Sequence, residues 1–380
     1  MRRVMVLLTA VVAATLLASG VAMTQPSGDR TGSYIVVLND GVDNPGEVAA
    51  NIARRNNAQV GFVYRNAIKG FSATIPDQQL DNVRSADKVD YVERDGTMTA
   101  TAQTIPWGIN QIHADISSTK AGDGSGTVSG VHAYIIDTGI DASHTDLTVT
   151  GNVPFTGGPA TDCNGHGTHV AGTVAAIDNT QDVVGVAPGA SLTGVKVLGC
   201  NGSGTTSGVI KGVDWVTANA QEPAIANMSL GGGVSTALDD AVRRSANSGV
   251  FYSLAAGNES KDACSTSPAR AGAGTNNGIM TTAATDINNK EASFSNYGSC
   301  VDIWAPGVSV LSTKKGGGTV TYSGTSMASP HTGGTGALYL SSNGSANPAA
   351  VETALKSNAV ATGTFSKDGA AIRLLYAGAY

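Results

Sequence analysis

Val131-His-Ala-Tyr-Ile-Ile136 is a short apolar run that ends at Asp137 and is followed at once by Thr138-Gly139. The run reads as a strand, and Asp137-Thr-Gly139 as a tight exit from its carboxyl end. Downstream, runs of the same kind at 191–198, 225–228 and 250–255 alternate with helical stretches at 169–177, 208–219 and 238–248. Such alternation predicts an α/β domain with a mainly parallel, doubly wound sheet and helices on both faces. In such sheets active residues collect at the carboxyl ends of strands and the starts of helices. That position makes Asp137 a candidate, although an aspartate there also suits a turn or a helix cap.

Ahead of this sheet the texture differs. Residues 33–95 read as strand 34–38, helix 47–58, strands 61–64 and 71–75, helix 78–86 and strand 89–93. That β-α-β-β-α-β order is a small split sandwich. Residues 96–105, rich in Thr and Ala without periodicity, read as a linker and a candidate cleavage site. At the start, Arg2 and Arg3 precede an apolar run over 4–17 and the small residues Ala18, Ser19, Gly20 and Ala22. This is the pattern of a secretory leader cleaved near Ala22, although its length approaches that of a membrane anchor. No later segment is apolar for long enough to span a bilayer. The expected organisation is a signal peptide over 1–22, a small domain over 23–100 and the α/β domain over 101–380. The mature product is expected to be secreted, monomeric and free of the membrane.

Composition narrows the class. The 380 residues carry a formal net charge of -6 without Lys/Arg runs, which argues against a nucleic-acid partner. Charged residues make up 14%, against roughly 25% in ordinary soluble domains. Together with 49 glycines, this fits a compact, loop-rich enzyme rather than a disordered chain. Export permits disulfides among Cys163, Cys200, Cys264 and Cys300. Four cysteines allow three pairings, of which the sequential one is the simplest. None has the C-x-x-C spacing of a zinc site.

The chemistry sits in two further stretches. Ser323-Gly-Thr-Ser-Met-Ala-Ser-Pro-His331 reads as a loop turning into a helix, with Pro330 near the first turn, where a missing N–H costs little. Ser326 then lies at the positive end of a helix dipole, which can help to hold an oxyanion formed by its attack. A serine needs a base, and Asn164-Gly-His-Gly-Thr-His169 offers one in His166, set between two glycines before an apolar helical run. His169 suits a structural role; an H-x-x-H metal pair lacks the acid and the third ligand such sites use. His113, His132, His144 and His331 lack supporting context and read as structural.

With Asp137, His166 and Ser326 in that order, the chain resembles the subtilisin-like serine proteases. The likeness is carried by Ile135-Ile-Asp-Thr-Gly-Ile140, Asn164-Gly-His-Gly-Thr-His-Val-Ala-Gly172 and Gly324-Thr-Ser-Met-Ala-Ser-Pro-His331. Asp162-Cys-Asn-Gly-His-Gly167, Cys200-Asn-Gly-Ser-Gly204, Ala226-Asn-Met-Ser-Leu-Gly-Gly-Gly233 and Ser293-Phe-Ser-Asn-Tyr-Gly-Ser-Cys300 resemble the proteinase K branch, and aqualysin-type enzymes within it. Residues 33–95 resemble the family's propeptide.

The resemblance implies a secreted serine endopeptidase made as a zymogen, with its own propeptide as inhibitor and folding chaperone. It implies that Ser326 is the nucleophile, His166 the base and Asp137 the partner of the imidazole. Asn258, in Ala255-Ala-Gly-Asn258, matches the oxyanion asparagine. Gly202, Ser203 and Gly204, with Ser229, Leu230 and Gly231, match the segments that flank an extended peptide. Ser229 to Gly231 and Ala255, Ala256 and Gly257 would wall a small, uncharged first pocket for apolar or aromatic side chains, with no acid to select Lys or Arg. The likeness also implies the bridges Cys163–Cys200 and Cys264–Cys300, and a structural calcium ion at Asp302. The chain departs from the family pattern at Gly199, at Thr332-Gly-Gly334 after His331, and in a longer stretch over 271–280. Two other classes compete. A silent peptide-binding relative would usually lack one of Asp137, His166, Asn258 and Ser326. A serine esterase would carry a G-x-S-x-G elbow and the order Ser, Asp, His.

Overall fold

The computed structural model describes residues 30–96, 103–274, 276–344 and 346–380. The expected leader over 1–22 and the expected cleavage point near Ala100 lie outside them. The chain divides into two compact units, one up to Thr99 and one from Ala100.

In the first unit, β1 (Thr31–Leu38), α1 (Pro45–Arg55), β2 (Gln59–Tyr64), β3 (Gly70–Pro76), α2 (Leu80–Arg84) and β4 (Val89–Arg94) follow in the expected order. The sheet runs β2-β3-β1-β4, with β1 antiparallel to both neighbours. Helix α1 starts where Asn44 caps the Glu47 N–H and Pro45 occupies the first turn. It buries Val48, Ala49 and Ile52 against Val36, Phe71 and Ile75, all in one small core.

The second unit is built on a nine-stranded sheet in the order β14-β15-β11-β10-β9-β8-β5-β7-β6. Its strands are β5 (His132–Asp137), β6 (Val149–Pro154), β7 (Ser191–Lys196), β8 (Ala224–Met228), β9 (Val250–Ala255), β10 (Ile279–Thr285), β11 (Ile303–Pro306), β14 (Val360–Phe365) and β15 (Ala371–Leu374). Pairings from β6 to β15 are parallel, and β14 closes its edge antiparallel. A separate hairpin joins β12 (Val310–Thr313) and β13 (Thr319–Tyr322).

Strand β5 shows why helices cover both faces. Ala133 and Ile135 enter one core, with Val170 and Val174 of α4 (His166–Ala175) and Leu338 of α7 (Thr325–Asn343). Tyr134 and Ile136 enter the other, with Val213 of α5 (Thr206–Asn219) and Val242 of α6 (Thr236–Asn247). The side-chain period of two feeds both layers, so every position of β5 is buried. The short α3 (Trp107–Gln111) precedes the sheet and α8 (Pro348–Asn358) follows α7.

Helix α7 differs from expectation at Pro330. The helix begins at Thr325, so Pro330 lies inside it rather than in its first turn. The proline has no N–H to offer the carbonyl of Ser326, one turn back. The Ser229 hydroxyl fills that vacancy, donating to the Ser326 carbonyl at 2.8 Å. The departure at Thr332 and Gly333 has a packing reason: the Thr332 hydroxyl accepts that of Thr282 at 2.9 Å, and a Cβ on Gly333 would sit 2.8 Å from the Ser253 hydroxyl oxygen, so α7 lies close against β9 there.

Candidate active site

Asp137, His166 and Ser326 come from the end of β5 and the first turns of α4 and α7. The His166 Nδ1 lies 2.8 Å from Asp137 Oδ1 and 2.9 Å from Oδ2. Asp137 is fully buried, whereas the His166 side chain keeps 27% of its surface exposed. With a carboxylate facing Nδ1, the proton belongs there and Nε2 is left as the acceptor. Burial pushes the His166 imidazole down, but the charge and hydrogen bond of Asp137 and the charge of Asp162 outweigh it and hold it above its ordinary value.

Local chemistry sets the register of this pair. The Thr138 N–H donates to Asp137 Oδ1 at 2.7 Å. Gly139 and Gly165 both take positive φ, which turns each chain away from its element. A Cβ on Gly167 would collide with the Gly139 carbonyl, so the first turn of α4 touches the exit of β5 only because that position is glycine.

The Ser326 hydroxyl donates to the Ser229 carbonyl at 3.1 Å. Asn258 accepts the Thr325 N–H at 2.8 Å and the Thr325 hydroxyl at 3.0 Å through Oδ1, which turns its Nδ2 the other way. That Nδ2 and the Ser326 backbone nitrogen converge: each lies 3.6 Å from the point where a Cβ on Gly324 would stand. Two nitrogen donors close to one spot beside a serine suit a developing oxyanion.

Two adjoining depressions flank the serine. A groove of about 360 Å³ is lined by His166, by Gly202, Ser203 and Gly204, and by Ser229 to Gly233. A pocket of about 190 Å³ shares Leu230 to Gly233 and adds Ala255, Ala256, Gly257, Asn258, Thr325 and Ser326. The expected segments thus border common spaces. The expectation of an uncharged pocket needs correction, because Glu259 and Lys261 line it too. The Asn296 amide donates to Glu259 Oε2 at 2.9 Å, which draws the acid to the pocket wall. Asn296 lies far along the chain, so the sequence around Glu259 carries no sign of this.

The cysteines pair as Cys163–Cys200 and Cys264–Cys300. The first bridge ties the loop before His166 to the turn after β7 that leads into the groove. His169 lies in the core, with Nε2 donating to the carbonyls of Val310 and Val320 at 3.1 Å and its ring stacked on Tyr322. Burial pushes it down to about 4. Among the described residues no group of three or more His, Cys, Asp or Glu side chains is arranged to hold a metal ion.

The surroundings of Asp302 do not fit a calcium ion. Its Oδ2 accepts the Thr281 N–H at 2.7 Å, and its Oδ1 faces the Lys356 ammonium at 2.7 Å. Lys356 also meets Glu352 Oε1 at 2.6 Å and Asn276 Oδ1 at 3.2 Å. Glu352 in turn accepts the N–H groups of Asn277 and Gly278 at 2.7 and 2.8 Å. The cation that this pair of acids requires is therefore a lysine, and the longer stretch over 271–280 hangs from the same cluster.

No helix among the described residues is long and apolar enough to cross a membrane. The Subtilase family profile matches residues 128–373, and the Peptidase inhibitor I9 profile matches residues 33–101. The chain is 44% identical over 333 residues to the alkaline serine exoprotease A of Vibrio alginolyticus, covering 84% of this chain and 60% of that protein. It is 46% identical over 310 residues to the extracellular serine proteinase of Thermus sp. strain Rt41A, covering 78% of this chain and 72% of that protein. The crystal structure of a cold adapted subtilisin-like serine proteinase superposes with a TM-score of 0.63 at 44% identity, covering 71% of this chain and 97% of that one. The chain spans about three fifths of the Vibrio relative's length. A profile over most of the α/β unit, relatives of this identity and the subtilisin-like sheet agree: the chain belongs to the subtilase family, with a peptidase-inhibitor I9 segment ahead of its peptidase unit.

Proposed function

We propose that this chain is the self-processing precursor of a secreted serine endopeptidase. Ser326 attacks the scissile carbonyl while His166 Nε2 takes its proton, and the imidazolium then returns that proton to the leaving amine. Asp137 keeps Nδ1 protonated and steadies the imidazolium. Water, with His166 again as base, hydrolyses the acyl-enzyme and frees Ser326. The oxyanion of each tetrahedral intermediate rests between Asn258 Nδ2 and the Ser326 N–H. The observation that carries this reading is the His166 imidazole held by both oxygens of buried Asp137 at 2.8 and 2.9 Å.

Substrate lies extended between Gly202-Ser-Gly204 and Ser229-Leu-Gly231, pairing its backbone with those two loop segments. The side chain before the scissile bond enters the pocket of Leu230, Ala255 and Ala256, where an apolar or aromatic group buries its surface. Glu259 and Lys261 bring opposite charges to that pocket and leave no net preference for a basic or acidic side chain. The first unit acts as inhibitor and folding aid, and self-cleavage near Ala100 releases it.

The test is expression of the full chain as wild type and as Ser326→Ala, with an active-site-directed fluorophosphonate added to each. The wild type is expected to mature, cleave peptides and take up one label. The variant is expected to remain full length, inert and unlabelled. A variant that matures in a protease-free host and hydrolyses peptides at the wild-type rate overturns the proposal, as does a wild type that only binds peptides.

A further inference from the structure

Lys196, the last residue of β7, is fully buried directly behind the acid–imidazole pair. Its ammonium donates to the Thr138 carbonyl at 2.6 Å, and the Cys163 sulfur lies 3.5 Å away. Thr138 joins both halves of the site. Its N–H holds Asp137, and its hydroxyl accepts the Gly167 N–H at 2.9 Å and donates to Asp162 Oδ1 at 2.9 Å. Asp162 is itself buried. It accepts the N–H groups of Asn164, Gly165 and Thr168 at 2.9, 2.8 and 3.0 Å and the Thr168 hydroxyl at 2.6 Å. It therefore shapes the loop that presents His166.

We propose that Lys196 is a positioning residue: it clamps the Thr138 peptide that orients Asp137 and cancels one of the two carboxylate charges buried behind His166. This rests on the triad reading above. A charge held in a dry interior interacts far more strongly than one in water. Asp137 and Asp162 without a cation would present two negative charges to the imidazole and bind its proton too tightly for a base. With the Lys196 charge acting on both, one net charge remains, matched by the one positive charge of the imidazolium. Burial holds the Lys196 ammonium below its ordinary value, and the charges of Asp162 and Asp137 offset part of that fall.

The other charged or titratable groups near His166 do not supply this balance. His169, one turn along α4, is held down to about 4 and stays neutral over the working range. Lys315 and Tyr322 approach Gly165 from the hairpin side, and Lys315 is exposed to solvent. Asp141 lies beyond Thr168, whose hydroxyl accepts its N–H at 3.0 Å.

The experiment is the pH profile of kcat/KM on a chromogenic peptide for the mature enzyme, wild type against Lys196→Met. Loss of a full positive charge from the buried surroundings of the pair raises the acid limb by on the order of half a unit to one unit. Lys196→Arg keeps the charge and leaves the limb at the wild-type position. Asp162→Asn removes a negative charge and lowers the limb, which tests the same balance if Lys196→Met fails to fold. A purely structural role would lower activity without moving the limb. An unmoved limb in Lys196→Met, or in Asp162→Asn where the first variant does not fold, overturns the proposal. Ser326→Ala is assayed beside them: hydrolysis there would refute the triad reading instead.

Discussion

Replacing Lys356 by methionine should expose how much the peptidase unit depends on a lysine where a metal ion was expected. The ammonium lies 2.7 Å from Asp302 and 2.6 Å from Glu352, and their side chains are 9% and 0% exposed. Removing one partner from a buried ionic cluster costs about 3–5 kcal/mol, because the remaining charges stay desolvated without a counterion. The Lys356 side chain is 26% exposed, so water relieves part of this and the lower end applies. For a unit of this size each kcal/mol lowers Tm by about 2–4 °C, so about 3 kcal/mol predicts a fall of roughly 6–12 °C. The sign of the pH dependence follows from Asp302. Burial pushes it up to about 6, against the opposing pull of Lys356 and the Thr281 N–H. A carboxyl whose folded value lies above its unfolded one loses stability as pH rises through that interval. Without the lysine the value climbs further, so the deficit of the variant should be larger near pH 8 than near pH 5. The assay is calorimetry of sulfonyl-fluoride-inactivated mature enzyme at one scan rate, with calcium and with chelator. A variant melting within about 2 °C of the wild type near pH 8 refutes the reasoning. A lanthanide found at Asp302 in crystals of the wild type would refute it as well.

Asn258→Ala should lower kcat with little change in KM, because the donor matters only once the oxyanion forms. Removal of one such donor in a related enzyme costs about 10²–10³-fold, and a loss below tenfold in steady-state assays would take Asn258 out of that role. Glu259→Gln leaves Lys261 as the charge lining the first pocket, so a peptide-library profile should gain Asp and Glu before the scissile bond and lose Lys and Arg. An unchanged ranking of charged residues would show that the acid does not face the bound side chain.

Much of the fold is legible because the signals are local. The expected strands at 191–198, 225–228 and 250–255 are β7, β8 and β9, short buried runs whose length suits strands rather than helices. Boundaries are less legible where a glycine decides them. Helix α4 starts at His166 rather than at 169, because Gly165, with φ +112, turns the chain into it. Strand β6 escapes periodicity altogether: Val149–Pro154 contains Thr150, Gly151 and Asn152, and its positions are only partly buried. It is a strand because β7 lies beside it, not because of its own composition.

At the site, legibility depends on whether a residue works through its immediate neighbours or through distant ones. His166 is recognisable because the glycines that let α4 approach β5 stand on either side of it. Ser326 is recognisable because its helix start surrounds it. The residues that tune the site carry no such mark. Lys196 looks like the polar end of a strand, Glu259 like a turn acid and Lys356 like the solvated side of a helix, and each is plausible as such. What changes them is what the fold places opposite: the Thr138 carbonyl and two carboxylates, the Asn296 amide, and the pair Asp302 and Glu352. A backbone motif can be read from spacing because its geometry closes within a turn or two. Charge compensation cannot, because any cation of suitable reach satisfies a buried acid, and the chain has many places from which to send one. For the same reason, a retained aspartate at a family metal position is weak evidence of the metal. The acid requires a positive charge, and here Lys356 supplies it.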